Sequence, residues 1–239
     1  MGETPAFHAF GLAHCVVILL TAVLSFGLSF GYRCWPSSRF DRAVRIGIGS
    51  ALVVNYLCYA GYLWIHGILE WEHALPLQLC DWTMIAVVVA LAIGARSGWL
   101  EVAYFWGVGG SLQAILTPNL PVAFPDIRFL SFFLEHCGIV IGIAYLMITR
   151  RFRPTFGSVG RTLFWSETYL VVALTIDFLT GANYGFLIRK PEAASLLSLL
   201  SDRWSLYILQ MNGLALIFFA VLYAPFALFD LMKPRPSVA

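Results

Sequence analysis

Seven long apolar stretches separated by short polar ones make up nearly the whole chain. Each is long enough to cross about 30 Å of hydrocarbon as a helix. The predicted spans are residues 10–31, 46–69, 76–95, 99–118, 128–149, 162–182 and 204–230. This predicts a single all-α polytopic membrane domain over residues 1–239. The few polar residues inside the spans are His14, Cys80, Asp81, Gln113, Glu135, His136, Asp177, Gln210 and Asn212. Odd-numbered helices run one way and even-numbered helices the other, so these residues fall in one layer. At 1.5 Å per residue Cys80 is about 6 Å, and His136 about 12 Å, from the same membrane face. Asn55 sits mid-membrane, and Glu101 and Glu167 lie in the other half. Polar side chains in hydrocarbon are costly, so a shared layer predicts a shared site.

Composition excludes a soluble domain. The chain is 60% hydrophobic and 12% charged, with mean hydropathy +0.80, whereas soluble domains carry roughly 25% charge. Lys and Arg set the orientation. Arg33, Arg39, Arg42, Arg45, Arg96, Arg150, Arg151, Arg153, Arg161, Lys233 and Arg235 fall on one side, against Arg128, Arg189, Lys190 and Arg203 on the other. The first side is expected in the cytoplasm, with the N-terminus outside and the C-terminus inside. The net charge of +2 reflects this asymmetry and gives no reason to expect nucleic-acid binding. No Cys-x-x-Cys pair occurs among the five cysteines, so a zinc ribbon and a thioredoxin-like motif are both excluded. Both lysines lie outside the predicted spans, which removes a retinal Schiff base.

The chain also resembles itself at an offset of 122 residues. Phe7-x-x-Phe10-x-x-x-His14-Cys15 aligns with Phe129-x-x-Phe132-x-x-x-His136-Cys137, and Asn55-Tyr-Leu57 with Asp177-Phe-Leu179. The expected architecture is a parallel 3+1+3 repeat of residues 7–95 and 129–230, with helix 99–118 as connector. A Phe-rich chain also produces such matches by chance.

Cys80 is the natural nucleophile of the layer, and His136 or His14 the base that activates it. Asp177 would orient the imidazole, Gln113 or Asn212 would donate to an oxyanion, and Asp81 would position Cys80 or a histidine. Plainer roles exist for each. Gln113 and Asn212 serve equally well as interhelical glue, and a lone histidine in a helix is most often a satisfied packing residue. Tyr184, Trp99 and Trp204 read as interfacial aromatics.

Several motifs carry a family resemblance over nearly the whole length. They are Leu75-Pro76-Leu77-x-Leu79-Cys80-Asp81, Tyr104-Phe105-Trp106-Gly107, Leu116-Thr117-Pro118, Phe132-Phe133-x-x-His136-x-Gly138, Asn183-Tyr184-x-x-Leu187 and Lys190-Pro191-x-x-x-Ser195-Leu196-Leu197. With these the chain resembles the YwaF-like family of bacterial integral membrane proteins. That family is similar to a eukaryotic group of membrane acyltransferases that make polyunsaturated ether phospholipids. The resemblance implies a catalytic cysteine at Cys80, a functional histidine at His136, supporting roles near Asn183 and Tyr184, and residence in the cell's inner membrane. Two departures stand out. Asp177 replaces an expected Asn, and Ser201-Asp202-Arg203-Trp204 replaces a Gly-Pro-Trp-like stretch.

The leading expectation is therefore a lipid acyltransferase or transacylase without a cofactor, using phospholipid and lysophospholipid substrates. A small-solute transporter built on the repeat, with His14 and His136 as symmetric ligands or proton carriers and Cys80 falling loosely near Gln210, is the alternative. A third reading is a zinc-dependent lipid hydrolase with His14, His136, Cys80 and Asp177 as ligands. It is the weakest, because no His-x-x-x-His pair is present.

Overall fold

A computed structural model of the chain describes residues 6–94, 98–191 and 195–232. Arg96, Lys233 and Arg235, which contribute to the predicted charge asymmetry, lie outside the described residues. Among those described there is no strand, and the principal elements are seven helices. They are α1 (Leu12–Cys34), α2 (Ser38–Ile65), α3 (Leu79–Ile93), α4 (98–116), α5 (Ile127–Arg150), α6 (Phe156–Thr180) and α7 (Trp204–Met232). Five of them, α1, α2, α5, α6 and α7, have 23 to 29 residues and are apolar enough to cross a membrane. The other two are shorter or broken. α3 has 15 residues, and α4 runs through a π turn at Gly107–Ser111 between two α-helical pieces.

The short helices form the interior. Ala86, Val87 and Ala90 of α3, Leu100, Ala103 and Phe105 of α4, and Ile139, Ile143 and Leu146 of α5 are all buried together. The outer helices turn large apolar side chains outward, among them Phe26, Trp64, Val171 and Ile217. The buried residues of α1 are His14, Thr21, Ser25 and Ser29, all on one stripe. Polar and small groups inward with apolar groups outward is the arrangement of helices packed in lipid.

Gly107 shows how tight the interior is. A Cβ there would overlap Ile143 Cδ1 and lie 3.2 Å from Ile139 Cγ2. The π turn brings the α4 backbone directly against α5, and only glycine leaves room for that.

Helix ends depart from the hydropathy boundaries where polar residues are helical. α2 starts at Ser38, not 46, because Ser37 caps it and Asp41 anchors its first turns. Asp41 Oδ2 accepts from Arg150 at 2.5 Å and from Arg45 Nε at 3.1 Å, and its Oδ1 accepts from Tyr145 Oη at 3.0 Å. Arg45 also donates to the carbonyl of Leu91 at the end of α3. α6 starts at Phe156, not 162, through a capping box between Thr155 and Ser158. Glu101 of α4 pairs with Arg161 in the first turns of α6 at 2.5 and 2.7 Å. Arg153 reaches Asp230 at 3.2 Å. These pairs gather Arg45 near the start of α2, Arg150 at the end of α5, Arg153 after it and Arg161 near the start of α6 at one end of the bundle.

Candidate functional site

The turn that leads into α3 is held from three directions. Gln78 is the N-cap: its backbone N–H donates to Asp81 Oδ2 at 2.8 Å, and its side chain accepts from the backbone of Asp81. The Gln78 Oε1 atom also accepts from Gly185 N at 3.1 Å. Tyr184, fully buried, donates its hydroxyl to the carbonyl of Trp71 and accepts from Leu75 N at 3.2 Å. Asp177 Oδ1 accepts from Tyr184 N at 2.9 Å. Asn183 closes the following loop, accepting from Ile188 and Arg189 N–H and donating to the Arg189 carbonyl.

Asp81, Asp177, Asn183 and Tyr184 are thus brought together as a brace for this turn. Asp177 holds the 184 backbone in place of an imidazole, and Tyr184 is a buried anchor in place of an interfacial aromatic. α3 begins at Leu79, three residues later than hydropathy predicts. Cys80 is therefore the second residue of its helix, where the positive end of the helix dipole favours an anion.

The Cys80 thiol lies beside the Glu135 carboxyl. The donor atoms of Cys80, Asp81 and Glu135 all lie within 4.8 Å of one another. One oxygen of the Glu135 carboxyl, Oε1, is buried without a hydrogen-bond partner. Among the described residues this is the one grouping of Cys, His, Asp and Glu side chains close enough to hold a cation. It contains no imidazole, so the zinc set of His14, His136, Cys80 and Asp177 is not the set that assembles.

His136 follows Glu135 in α5, and successive helical residues point about 100° apart. Its Nδ1 lies 2.7 Å from the carbonyl of Phe132, which can only accept, so Nδ1 carries the proton and Nε2 the lone pair. The ring also packs on Phe132, with centroids 4.2 Å apart. Cys80 and His136 line one cavity of about 690 Å³, together with Gln113 and Asn212. The walls are otherwise mostly apolar, with Phe105, Leu170, Met211 and Phe219 among them.

His14 is placed elsewhere. Its Nδ1 accepts from Phe10 N at 2.9 Å and its Nε2 donates to the Ile115 carbonyl at 2.7 Å, so both ring nitrogens are occupied in pinning α1 to the end of α4. Gln210 accepts from Ser201 N at 2.7 Å and fixes the approach to α7. Gln113 and Asn212 face the cavity but bond within their own helices, to Thr117 and to the Ile208 carbonyl. Sequence reasoning placed Glu135 in the polar layer without a role and passed over Gln78 and Tyr169. A cap residue three positions before Asp81 was the readable signal for Gln78. For Tyr169, an aromatic in an apolar span, there was none.

Residues 9–223 match the TMEM164 family. The chain belongs to the TMEM164 family. The matched region holds Cys80, Glu135, His136 and the whole brace around them. This is a family of transmembrane proteins, consistent with the eukaryotic side of the resemblance carried by the motifs, and the apolar helices of this member make it a multi-pass membrane protein. No curated protein and no solved structure matches the chain.

Proposed function

We propose that this TMEM164-family chain is a membrane-embedded lipid acyltransferase or transacylase with Cys80 as the nucleophile. One observation carries the reading. A thiol at the start of a helix, beside a carboxyl, lines a largely apolar cavity that a histidine with an unprotonated Nε2 also lines. Such a cavity suits an acyl chain, and its volume lies in the range of small-molecule sites.

In the first half-reaction the Sγ proton moves to Glu135, and the sulfur adds to the ester carbon of a phospholipid. The ester C–O bond breaks, the leaving alcohol takes the proton back from Glu135, and the acyl group stays on Cys80 as a thioester. Moving the proton from Sγ to the carboxylate keeps the net charge of the cluster unchanged, which matters in a low-dielectric site. In the second half-reaction His136 Nε2 takes the proton of a lysophospholipid hydroxyl, whose oxygen attacks the thioester. The proton returns to the departing sulfur. His136 was expected to serve Cys80 itself. The closeness of the thiol to Glu135 favours the division of labour proposed here.

The reading includes seven membrane crossings in an inner membrane, with the N-terminus outside. The site then faces away from the cytoplasmic acyl-CoA pool, which makes a phospholipid the donor. A carrier with His14 and His136 as symmetric ligands draws less support, because His14 has no ring nitrogen left for a ligand. Intact-protein mass spectrometry after incubation with phospholipid vesicles tests the proposal. An added acyl mass, removed by hydroxylamine and missing from Cys80→Ala, is the expected result. Full transfer activity in Cys80→Ala sinks the mechanism.

A further inference from the structure

Tyr169 of α6 is 6% exposed, and its hydroxyl has no hydrogen-bond partner. It lines the same cavity as Cys80 and His136. It lies close enough to Cys80, Asp177 and Asp81 for their charges to act on it. A buried hydroxyl is nearly always satisfied in a folded protein, so one left without a partner on a residue of a cavity wall needs a reason. The ring is locked in place by Trp82 of α3, edge-on at 5.4 Å, and by Trp106 of α4 at 6.4 Å. The Trp106 indole N–H is itself fixed on Ser166 Oγ at 2.9 Å.

Gly185 completes the arrangement. It has φ +60, and a Cβ there would collide with the Tyr169 hydroxyl. Its N–H is bound to Gln78, the cap of the Cys80 helix. The segment that braces Cys80 thus also packs directly against the Tyr169 hydroxyl without bonding to it. A rigid aromatic carries an unused donor beside a nucleophile, and this is the geometry of preorganised charge stabilisation.

We propose that the Tyr169 hydroxyl is the hydrogen-bond donor to the acyl carbonyl oxygen. The inference rests on the acyl-transfer reading and supplies the group that reading lacks. When Cys80 Sγ adds to the ester carbon, the C=O π pair moves onto oxygen, and Tyr169 Oη–H donates to that oxyanion. When the C–O bond to the leaving alcohol breaks, the pair returns to form the thioester carbonyl. The Tyr169 proton is shared throughout and never transferred. The same donor serves the attack of the acceptor hydroxyl on the thioester.

The test compares wild type, Tyr169→Phe and Cys80→Ala in phosphatidylcholine vesicles that carry a labelled acyl chain, with lysophosphatidylethanolamine as acceptor. Tyr169→Phe keeps the ring between Trp82 and Trp106. It is expected to lower kcat by about 10²–10³-fold with little change in KM, the loss typical of removing one oxyanion donor. Alkylation of Cys80 by iodoacetamide passes through no oxyanion, so its rate is expected to match wild type. A kcat within about threefold of wild type overturns the inference, as does a kcat loss matched by an equal loss of alkylation rate, which marks a positioning role instead. If wild type transfers no more acyl groups than Cys80→Ala, the acyl-transfer reading falls and takes this inference with it. If Tyr169→Phe does not fold, 3-fluorotyrosine at 169 keeps the ring and the hydroxyl. A kcat that follows the hydroxyl's acidity then supports the donor role, and an unchanged kcat refutes it.

Discussion

Gly107→Ala tests the packing that holds the site's interior together. The new Cβ would overlap Ile143 Cδ1 and press on Ile139 Cγ2 at 3.2 Å. Overpacking of this kind costs about 1–3 kcal/mol. Replacing glycine within a helix returns up to about 1 kcal/mol of backbone preference, so a net loss of about 0.5–2 kcal/mol is expected. Ile143→Val removes the Cδ1 atom that is struck and by itself costs about 0.5–1.5 kcal/mol. In the double variant the main overlap disappears while Ile139 stays in place. The pair is therefore expected to be more stable than the sum of the single losses by about 1 kcal/mol. Reversible unfolding by SDS in mixed micelles measures all four corners of the cycle. Additivity within about 0.5 kcal/mol, the behaviour of independent sites, would refute the close approach of α4 to α5.

Three further outcomes follow from single contacts. Asp41→Asn removes the charge that Arg45 and Arg150 share, and is expected to cost about 2 kcal/mol in the same unfolding assay, since hydrogen bonds to charged groups are worth about 1.5–3 kcal/mol; Glu101→Gln, whose partner Arg161 is more exposed, is expected to cost less. Asp126 caps α5 and is held below its ordinary value of 3.8 chiefly by hydrogen bonding to Arg128. A depressed carboxyl contributes stability above its unfolded pKa and loses it as pH falls through the folded one. Asp126→Ala should therefore cost about 1 kcal/mol from pH 5 to 8, and the gap to wild type should close below about pH 3.8; a gap that widens in acid contradicts the ion pair. Tyr184→Phe leaves the Trp71 carbonyl and the Leu75 N–H unpaired, and is expected to change the rate of Cys80 alkylation although residue 184 does not touch the thiol. An unchanged rate would mean that the brace does not position Cys80.

The sequence made the helices legible because lipid demands long apolar runs, and it blurred their ends for the same reason. Hydropathy sees Arg39, Asp41, Arg42 and Arg45 as a loop, yet Asp41 satisfies two arginines and a tyrosine hydroxyl, so those turns stay helical. Cys80 and His136 were readable as polar exceptions in apolar spans, and both reach one cavity. His14 carried the same signal, but depth along a helix says nothing about which face a side chain takes or which carbonyl lies opposite. Glu135 is adjacent to His136 in sequence and faces the thiol. That follows from the rotation of α5 relative to α3, which no periodicity records. The Tyr104-Phe105-Trp106-Gly107 motif acquires a physical reason only in three dimensions, since Gly107 admits α5 and Trp106 helps to lock Tyr169.

On the proposed function, the shortness of α3 explains why the chemistry is located there. Fifteen residues at 1.5 Å each give about 22 Å, roughly 8 Å less than the hydrocarbon of a bilayer. In the proposed seven-crossing arrangement the chain just before Leu79 lies at membrane depth without being helical. Backbone in that state survives only where protein groups satisfy it. Here Asp81 takes the Gln78 N–H, Gln78 takes the N–H of Asp81 and of Gly185, and Tyr184 serves both Trp71 and Leu75. The polar residues of the brace thus satisfy the non-helical backbone ahead of α3, and that short helix carries the Cys80 thiol in its first turn. A full-length α3 would need none of Gln78, Tyr184 and Gly185, and it would bury Cys80 in mid-helix, away from the positive end of the dipole. On the proposed acyl-transfer reading, the interruption and its polar supports act together to hold the Cys80 thiol within reach of an acyl chain.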